Sequence, residues 1–348
     1  MVIGLVFVHF GSYPGESLDP FAGVVNAPNF YASSINSFFT YFFLCSVPVL
    51  SMISGYLFSY NGIDPYPVVL RKKLKTLILP SITWTSTWLL LAFVLYSIGK
   101  ASNQFTYYDQ GFADYSLLDL LNGVIGITET PFAFQFWFVH DLVLSLIFSP
   151  LLVFAIKKLG KFFVLLPFIL WAIDLQPVLF FNFKVLAFFV VGLYIGLSGY
   201  KAEIPTRLLP FNLSIPVFVG MVLVRIYLPA LYDGHMPAEN IYELALRIVG
   251  SVAIITLALN IRLYLPVVYR FFVNRSGYAF YLHAFHFPLV ILVKQALYMT
   301  GLFQGESALI ALWAATILLT VMIALLSAQI MHRVFPPLYR FLNGQRAI

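Results

Sequence analysis

Residues Phe38–Tyr60 read FFTYFFLCSVPVLSMISGYLFSY, and no side chain in the stretch carries a charge. About 20 apolar residues in a helix cross the roughly 30 Å of hydrocarbon in a bilayer. The stretch is long enough, and it lacks the short polar–apolar alternation of a membrane barrel strand. It therefore predicts a transmembrane helix. Reading outward, Thr76–Gly99 is equally uncharged, and Phe132–Ile156 carries only Asp141. Phe211–Tyr232, Ile241–Ile261, Tyr278–Met299 and Ser307–Met331 qualify as spans on the same ground. Composition agrees: 61% of the 348 residues are hydrophobic and 10% are charged, with a mean hydropathy of +0.91. A water-soluble domain carries about 25% charged residues, so that class is excluded. The single cysteine, Cys45, excludes disulfide frameworks and thiolate zinc sites.

Basic residues decide the number of crossings. Phe162–Ser198 fits one long span or two short ones turning at Gln176-Pro177, and Val2–Ser12 is about half a crossing. Two helices in 162–198 give ten spans and a cytoplasmic N-terminus. Fifteen of the 20 Lys and Arg then lie inside, among them Arg71, Lys72, Lys73, Lys75, Lys201, Arg207 and Arg346, and Lys100 alone lies outside. One span there would leave seven inside against nine outside. Cytoplasmic loops carry the Lys and Arg excess, so ten spans win. The excess is thus a topology signal, and with no block of five like charges nucleic acid is not a partner. The outer loops are acidic (Glu16, Asp19, Asp109, Asp119, Asp233), and the longest is rich in tyrosine (Tyr107, Tyr108, Tyr115). The expected fold is an all-α integral membrane bundle of about ten transmembrane helices. It forms one membrane domain over residues 1–348, with an incomplete first helix and both termini cytoplasmic.

Several ionisable groups remain inside the spans: Asp141, Lys184, Arg225, Arg247 and Lys294, with His9 and His140. Each charge at mid-membrane costs about 2.5–3.5 kcal/mol on the lenient insertion scale. Span direction puts all seven in the outer halves, which predicts a shared polar cavity there. Snorkelling to the interface is the competing account for Lys294 and Arg247. A purely structural Asp141–Arg225 ion pair competes for the deeper two. His140 and Asp141 are neighbours, but adjacent helical residues point about 100° apart and are not automatically an acid–base pair. His283 and His286, in the inner half of their span, read as hydrogen-bonded structural histidines. Two histidines without a carboxylate are a weak zinc signal, so no metal is expected.

Several stretches in this order resemble one family. They are Leu5-Val6-Phe7-Val8-His9, Val47-Pro48 through Ser54-Gly55-Tyr56-Leu57-Phe58, the basic run Arg71–Lys75 followed by Leu79-Pro80, Phe136-Trp137-Phe138-Val139, and Ser276-Gly277-Tyr278 through His283. Together they are similar to the integral-membrane acyltransferase family three, bacterial O-acyltransferases of surface glycans, over nearly the whole chain. The resemblance implies a ten-helix enzyme of the bacterial cytoplasmic membrane. It would move an acyl group, usually acetyl, from cytoplasmic acyl-CoA to a sugar hydroxyl, with His9 matching the family's first-helix histidine. The family arginine eleven positions before that histidine has no counterpart here, so an upstream segment completing the helix is expected. Span four departs too, reading Trp137-Phe138-Val139-His140-Asp141 in place of an acidic Trp-Ser-Leu pattern, as in stand-alone members without an attached esterase-like domain.

A hydroxyl attacking a thioester needs a base and a group to hold the oxyanion. Histidine, with an unperturbed pKa of about 6.5, suits the first task. The expected catalytic set is His9 as base with Arg225 and Asp141, and Arg225 or Lys184 is the candidate for stabilising negative charge. His140, Lys184 and Arg247 are the expected substrate-binding residues. Arg71, Lys72 and Lys75, with Ser54 and Tyr56, are expected on the acyl-CoA side, where phosphates need cations. The alternative function is a polytopic transporter or exporter of a glycan or small anion. No internal repeat or matched pair of broken helices supports it.

Overall fold

The computed structural model describes residues 1–15, 19–60, 64–98, 112–175, 177, 179–200, 210–231 and 238–346. Glu16, Lys100, Tyr107, Tyr108, Asp109, Gln176, Lys201, Arg207 and Asp233, named above, lie outside the described residues. Among the described residues the chain is helical, with no strand. In chain order the helices are α1 (Val2–Val8), α2 (Phe30–Leu44), α3 (Ser46–Ser59), α4 (Tyr66–Lys73), α5 (Leu79–Ser97), α6 (Leu117–Ile125), α7 (Trp137–Ile147) and α8 (Ser149–Leu159). There follow α9 (Lys161–Ala172), α10 (Phe183–Leu197), α11 (Phe211–Tyr227), α12 (Ala238–Tyr264), α13 (Pro266–Val273), α14 (Ala279–Tyr298), α15 (Glu306–Val334) and α16 (Pro336–Leu342).

Among the described residues, five helical stretches are long and apolar enough to cross a membrane: Phe30–Ser59, Tyr66–Ser97, Ala238–Tyr264, Ser276–Tyr298 and Glu306–Val334. The protein is a multi-pass helical membrane protein. Several elements differ from the expected spans for identifiable reasons. The second begins at Phe30, ahead of the apolar run, because Ser33, Ser34, Asn36 and Ser37 are buried inside the bundle rather than exposed to lipid. Expected as one straight span, Phe132–Ile156 is instead two helices bent by 63°. Pro150 stands at the start of the second and lacks the N–H that would continue the first. Residues 162–198 form two helices, α9 and α10. The basic run is helical, and a π-turn over Leu74–Ile78 joins it to α5. Leu79 N–H reaches back to the Leu74 carbonyl, the wider ring that accommodates Pro80.

Helix α3 lies closest to α10. A Cβ on Gly55 would collide with the Phe189 carbonyl, and one on Gly192 with the Met52 carbonyl. Small residues let membrane helices approach to backbone contact. Ser59 Oγ donates across the same seam to the Leu193 carbonyl at 3.2 Å. Outside the spans, α6 starts in a capping box, Ser116 with Asp119, and ends on Gly126 in the left-handed conformation. The Ser116 hydroxyl and N–H hold the Asp119 carboxyl below the usual carboxylate range.

Candidate active site

The site is built around Pro288 in α14. Proline lacks an N–H, crowds the carbonyl four residues back, and pushes the preceding residue out of the helical region. Phe287 accordingly has φ −98° and ψ 93°. The missing N–H takes the helical partner from the Ala284 carbonyl, and buried carbonyls need donors. Gln135 Nε2 and Trp88 Nε1 donate to the Ala284 carbonyl at 2.9 and 3.2 Å. His286 Nδ1 lies 2.7 Å from the His283 carbonyl and 3.1 Å from that of Leu282. A carbonyl only accepts, so in the neutral ring Nδ1 carries the hydrogen and Nε2 the lone pair. That lone pair faces His9 Nδ1 at 2.7 Å, with the ring planes 5° apart. His9 Nδ1 therefore donates, and His9 Nε2 is left with a lone pair. The turn of α14 just before the proline thus fixes the tautomers of two histidines.

His9 lines a cavity of about 500 Å³. Leu5 and Val8 of α1, Gln135, Phe138, His283 and Phe287 line it too, as do Ser12, Asp19 and Phe21 from the loop after α1. The backbone beyond His9 is tied down by side chains. Lys294 Nζ donates to the carbonyls of Phe10 and Ser12 at 2.6 and 2.7 Å, and Asn36 Nδ2 to that of Gly11 at 2.8 Å. A helix end leaves four carbonyls without intrahelical donors, and these two side chains meet the chain where α1 stops. On the other side of α1, Phe7 packs on the rings of Phe39, Phe43 and Trp313.

The other buried charges do not gather there. Arg225 Nη2 pairs with Glu239 at 3.0 Å, and its guanidinium lies over the Tyr41 ring. Asp141 pairs with His140 at 3.0 Å and accepts the Asn182 N–H at 3.1 Å, tying α7 to the start of α10. The competing structural pair, Asp141 with Arg225, is not among the ion pairs of the described residues. Lys184 and Arg247 meet on Glu243, at 3.1 and 2.6 Å. Arg247 Nη1 also donates to the Leu44 carbonyl at 3.0 Å, the carbonyl that Pro48 leaves without a helical donor. None of Arg225, Asp141, His140, Lys184 and Arg247 lines the cavity of His9. Span direction gave these groups a common depth, but depth says nothing about which way a helix face turns. On the donor side, Arg71, Lys72 and Lys75 are exposed. Ser54 uses its hydroxyl on the Leu50 carbonyl at 2.8 Å, and Tyr56 stacks on Tyr60.

His9 and His286 were expected in opposite halves of the membrane, and their contact puts both near the middle of the Ser276–Tyr298 span. His286 and Gln135 are the neighbours of His9 and its cavity that sequence reasoning missed. The available signal for Gln135 was Pro288, whose orphaned Ala284 carbonyl calls for a buried donor. Among the described residues no cluster of three or more His, Cys, Asp or Glu is arranged to hold a metal.

A membrane bundle with a paired histidine on an internal cavity is the setting of an enzyme rather than of a structural anchor. The family model described as an acyltransferase domain matches residues 2–329. The chain belongs to that family and is a membrane-embedded acyltransferase. It is also similar to the succinoglycan biosynthesis protein ExoH of Rhizobium meliloti (strain 1021), with 26% identity over 356 residues covering 99% of this chain and 90% of that protein. No solved structure matches.

Proposed function

We propose that the protein is an O-acyltransferase of the bacterial cytoplasmic membrane, moving an acetyl group from cytoplasmic acyl-CoA to a hydroxyl of a surface polysaccharide or lipid-linked glycan. The observation that carries the reading is the His286–His9 pair, whose hydrogen bonds run from the kinked carbonyls to a lone pair on His9 Nε2 at the cavity. The family supports acyl transfer, and the name of the relative, a succinoglycan biosynthesis protein, supports a polysaccharide acceptor. Ten crossings with both termini inside fit the five long helices together with the bent α7–α8 pair, the shorter α9, α10 and α11, and α1.

In this mechanism the acceptor oxygen attacks the thioester carbon while His9 Nε2 takes its proton. The positive charge formed on His9 is shared through Nδ1 with His286, whose own N–H is already directed at carbonyls. Collapse of the tetrahedral intermediate breaks the C–S bond, and His9 returns the proton to the departing thiolate. Arg225 and Lys184 are committed to Glu239 and Glu243, so the reading assigns them to helix packing. General-base catalysis contributes about 10²–10⁴-fold. His9→Ala should therefore reduce acetyl transfer from labelled acetyl-CoA to glycan by at least about a hundredfold at equal protein level. Undiminished transfer would end the proposal.

A further inference from the structure

Two buried acceptor atoms on the wall of the His9 cavity are used by nothing among the described residues. Gln135 is 1% exposed and His283 6% exposed, yet Gln135 Oε1 and His283 Nε2 have no hydrogen-bond partner. Both residues line the cavity. Gln135 Nε2 is committed to the Ala284 carbonyl, which fixes its amide with the oxygen turned away. The Gln135 backbone beside the His283 ring favours a hydrogen on the ring's other nitrogen, which leaves Nε2 as a lone pair. An unsatisfied buried acceptor costs about 1–3 kcal/mol, so paired acceptors at a cavity wall call for a ligand carrying N–H or O–H groups.

Position selects which ligand. His283 precedes His286 by one turn of α14, toward the end that the charge pattern puts in the cytoplasm. Arg346 lies over the Phe280 ring at 4.5 Å on that side, close enough to Lys73 and His283 to act on both electrostatically. Asp19 and Phe21 line the cavity from the loop that follows His9, on the opposite side. We infer that His283 Nε2 and Gln135 Oε1 receive the amide N–H groups of the pantetheine arm of the acyl donor. This rests on acyl-CoA being the donor. The arm enters past Arg346 and Lys73, which face its phosphates, and its two amides are held by these acceptors so that the thioester ends at His9. Sugar hydroxyls are the other source of such donors and approach from the Asp19 side.

The test compares acetylpantetheine, which keeps both amides, with S-acetylmercaptoethanol, which has none, in the full-length protein. The readout is the ratio of kcat/KM for the two donors. His283→Phe and Gln135→Met should each lower that ratio about tenfold, the size of one net hydrogen bond. Using a ratio cancels any partial loss of folded protein. Equal losses for both donors, or an unchanged ratio, overturn the inference. A variant that instead raises KM for the glycan alone assigns the acceptors to the sugar and overturns it too. Wild-type protein that transfers from no CoA or pantetheine thioester overturns the proposed function along with it, whereas an active wild type with unshifted variants overturns the inference alone.

Discussion

At the scale of single residues, several buried polar groups serve carbonyls that the helices cannot satisfy. Gln135 and Trp88 take the one freed by Pro288, Arg247 the one freed by Pro48, and Lys294 with Asn36 those beyond α1. His9 was legible in the sequence through its family resemblance, and its partner was not. Spacing along one helix puts His283 and His286 a turn apart but carries no information about a contact with residue 9. Lys294 reads in sequence either as part of the outer cavity or as a side chain snorkelling to the interface, and the structure buries its ammonium on the turn behind His9. In the proposed mechanism it is a positioning residue for the base. Displacing a catalytic group by about 1 Å can cost about a hundredfold in rate. Lys294→Met should therefore lower kcat by that order with little change in KM for acetyl-CoA, and Lys294→Arg should recover part of it. A rise in KM at unchanged kcat would assign Lys294 to donor binding instead.

At the scale of elements, prolines set the breaks. Phe38–Tyr60 is one apolar run in sequence, but the helical stretch Phe30–Ser59 that holds it divides at Cys45 because Pro48 cannot donate to the Leu44 carbonyl. Arg247 meets that carbonyl and the Glu243 carboxylate together. Removing one partner of a buried ion pair costs about 3–5 kcal/mol, so Arg247→Met should lower the midpoint of thermal unfolding in detergent markedly. Pro48→Ala restores the missing N–H. If the carbonyl is the reason for the arginine, the double variant should be more stable than Arg247→Met alone. Simple additivity of the two losses would refute that explanation. Sequence hydropathy located these helices well, since lipid demands long apolar runs. It misplaced their ends wherever polar residues are buried in protein, as at Ser33 and Asn36, and it missed the 63° bend after α7.

At the scale of the whole molecule, the charge distribution and the glycine seam constrain the bundle from different directions. The Lys and Arg asymmetry is a property of loops, so it is readable without knowing which helices touch. A reporter fused to the C-terminus should accordingly be active only in the cytoplasm, and activity of a periplasmic reporter there would reverse the assigned orientation. Contacts between helices far apart in sequence were not readable this way. The closeness of α3 and α10 depends on Gly55 lying against the α10 backbone and Gly192 and Gly196 against α3, and three scattered glycines do not announce that. Overpacking a filled seam costs about 1–3 kcal/mol. Gly192→Val should push the two helices apart and reduce folded protein in the membrane, while the same change at Gly220, where a Cβ meets nothing within 4 Å, should be tolerated. Equal effects at both positions would remove the seam from the account.

In the proposed mechanism His286 acts through His9. Its direct measurement is a double-mutant cycle on the rate of acetyl transfer from acetyl-CoA, with His9→Ala, His286→Ala and both together at matched protein level. Groups that work as one unit are strongly non-additive. The predicted result is a loss of at least about tenfold for His286→Ala alone and no further loss when it is added to His9→Ala. A His286→Ala variant as fast as the wild type, or losses that multiply in the double variant, would contradict it.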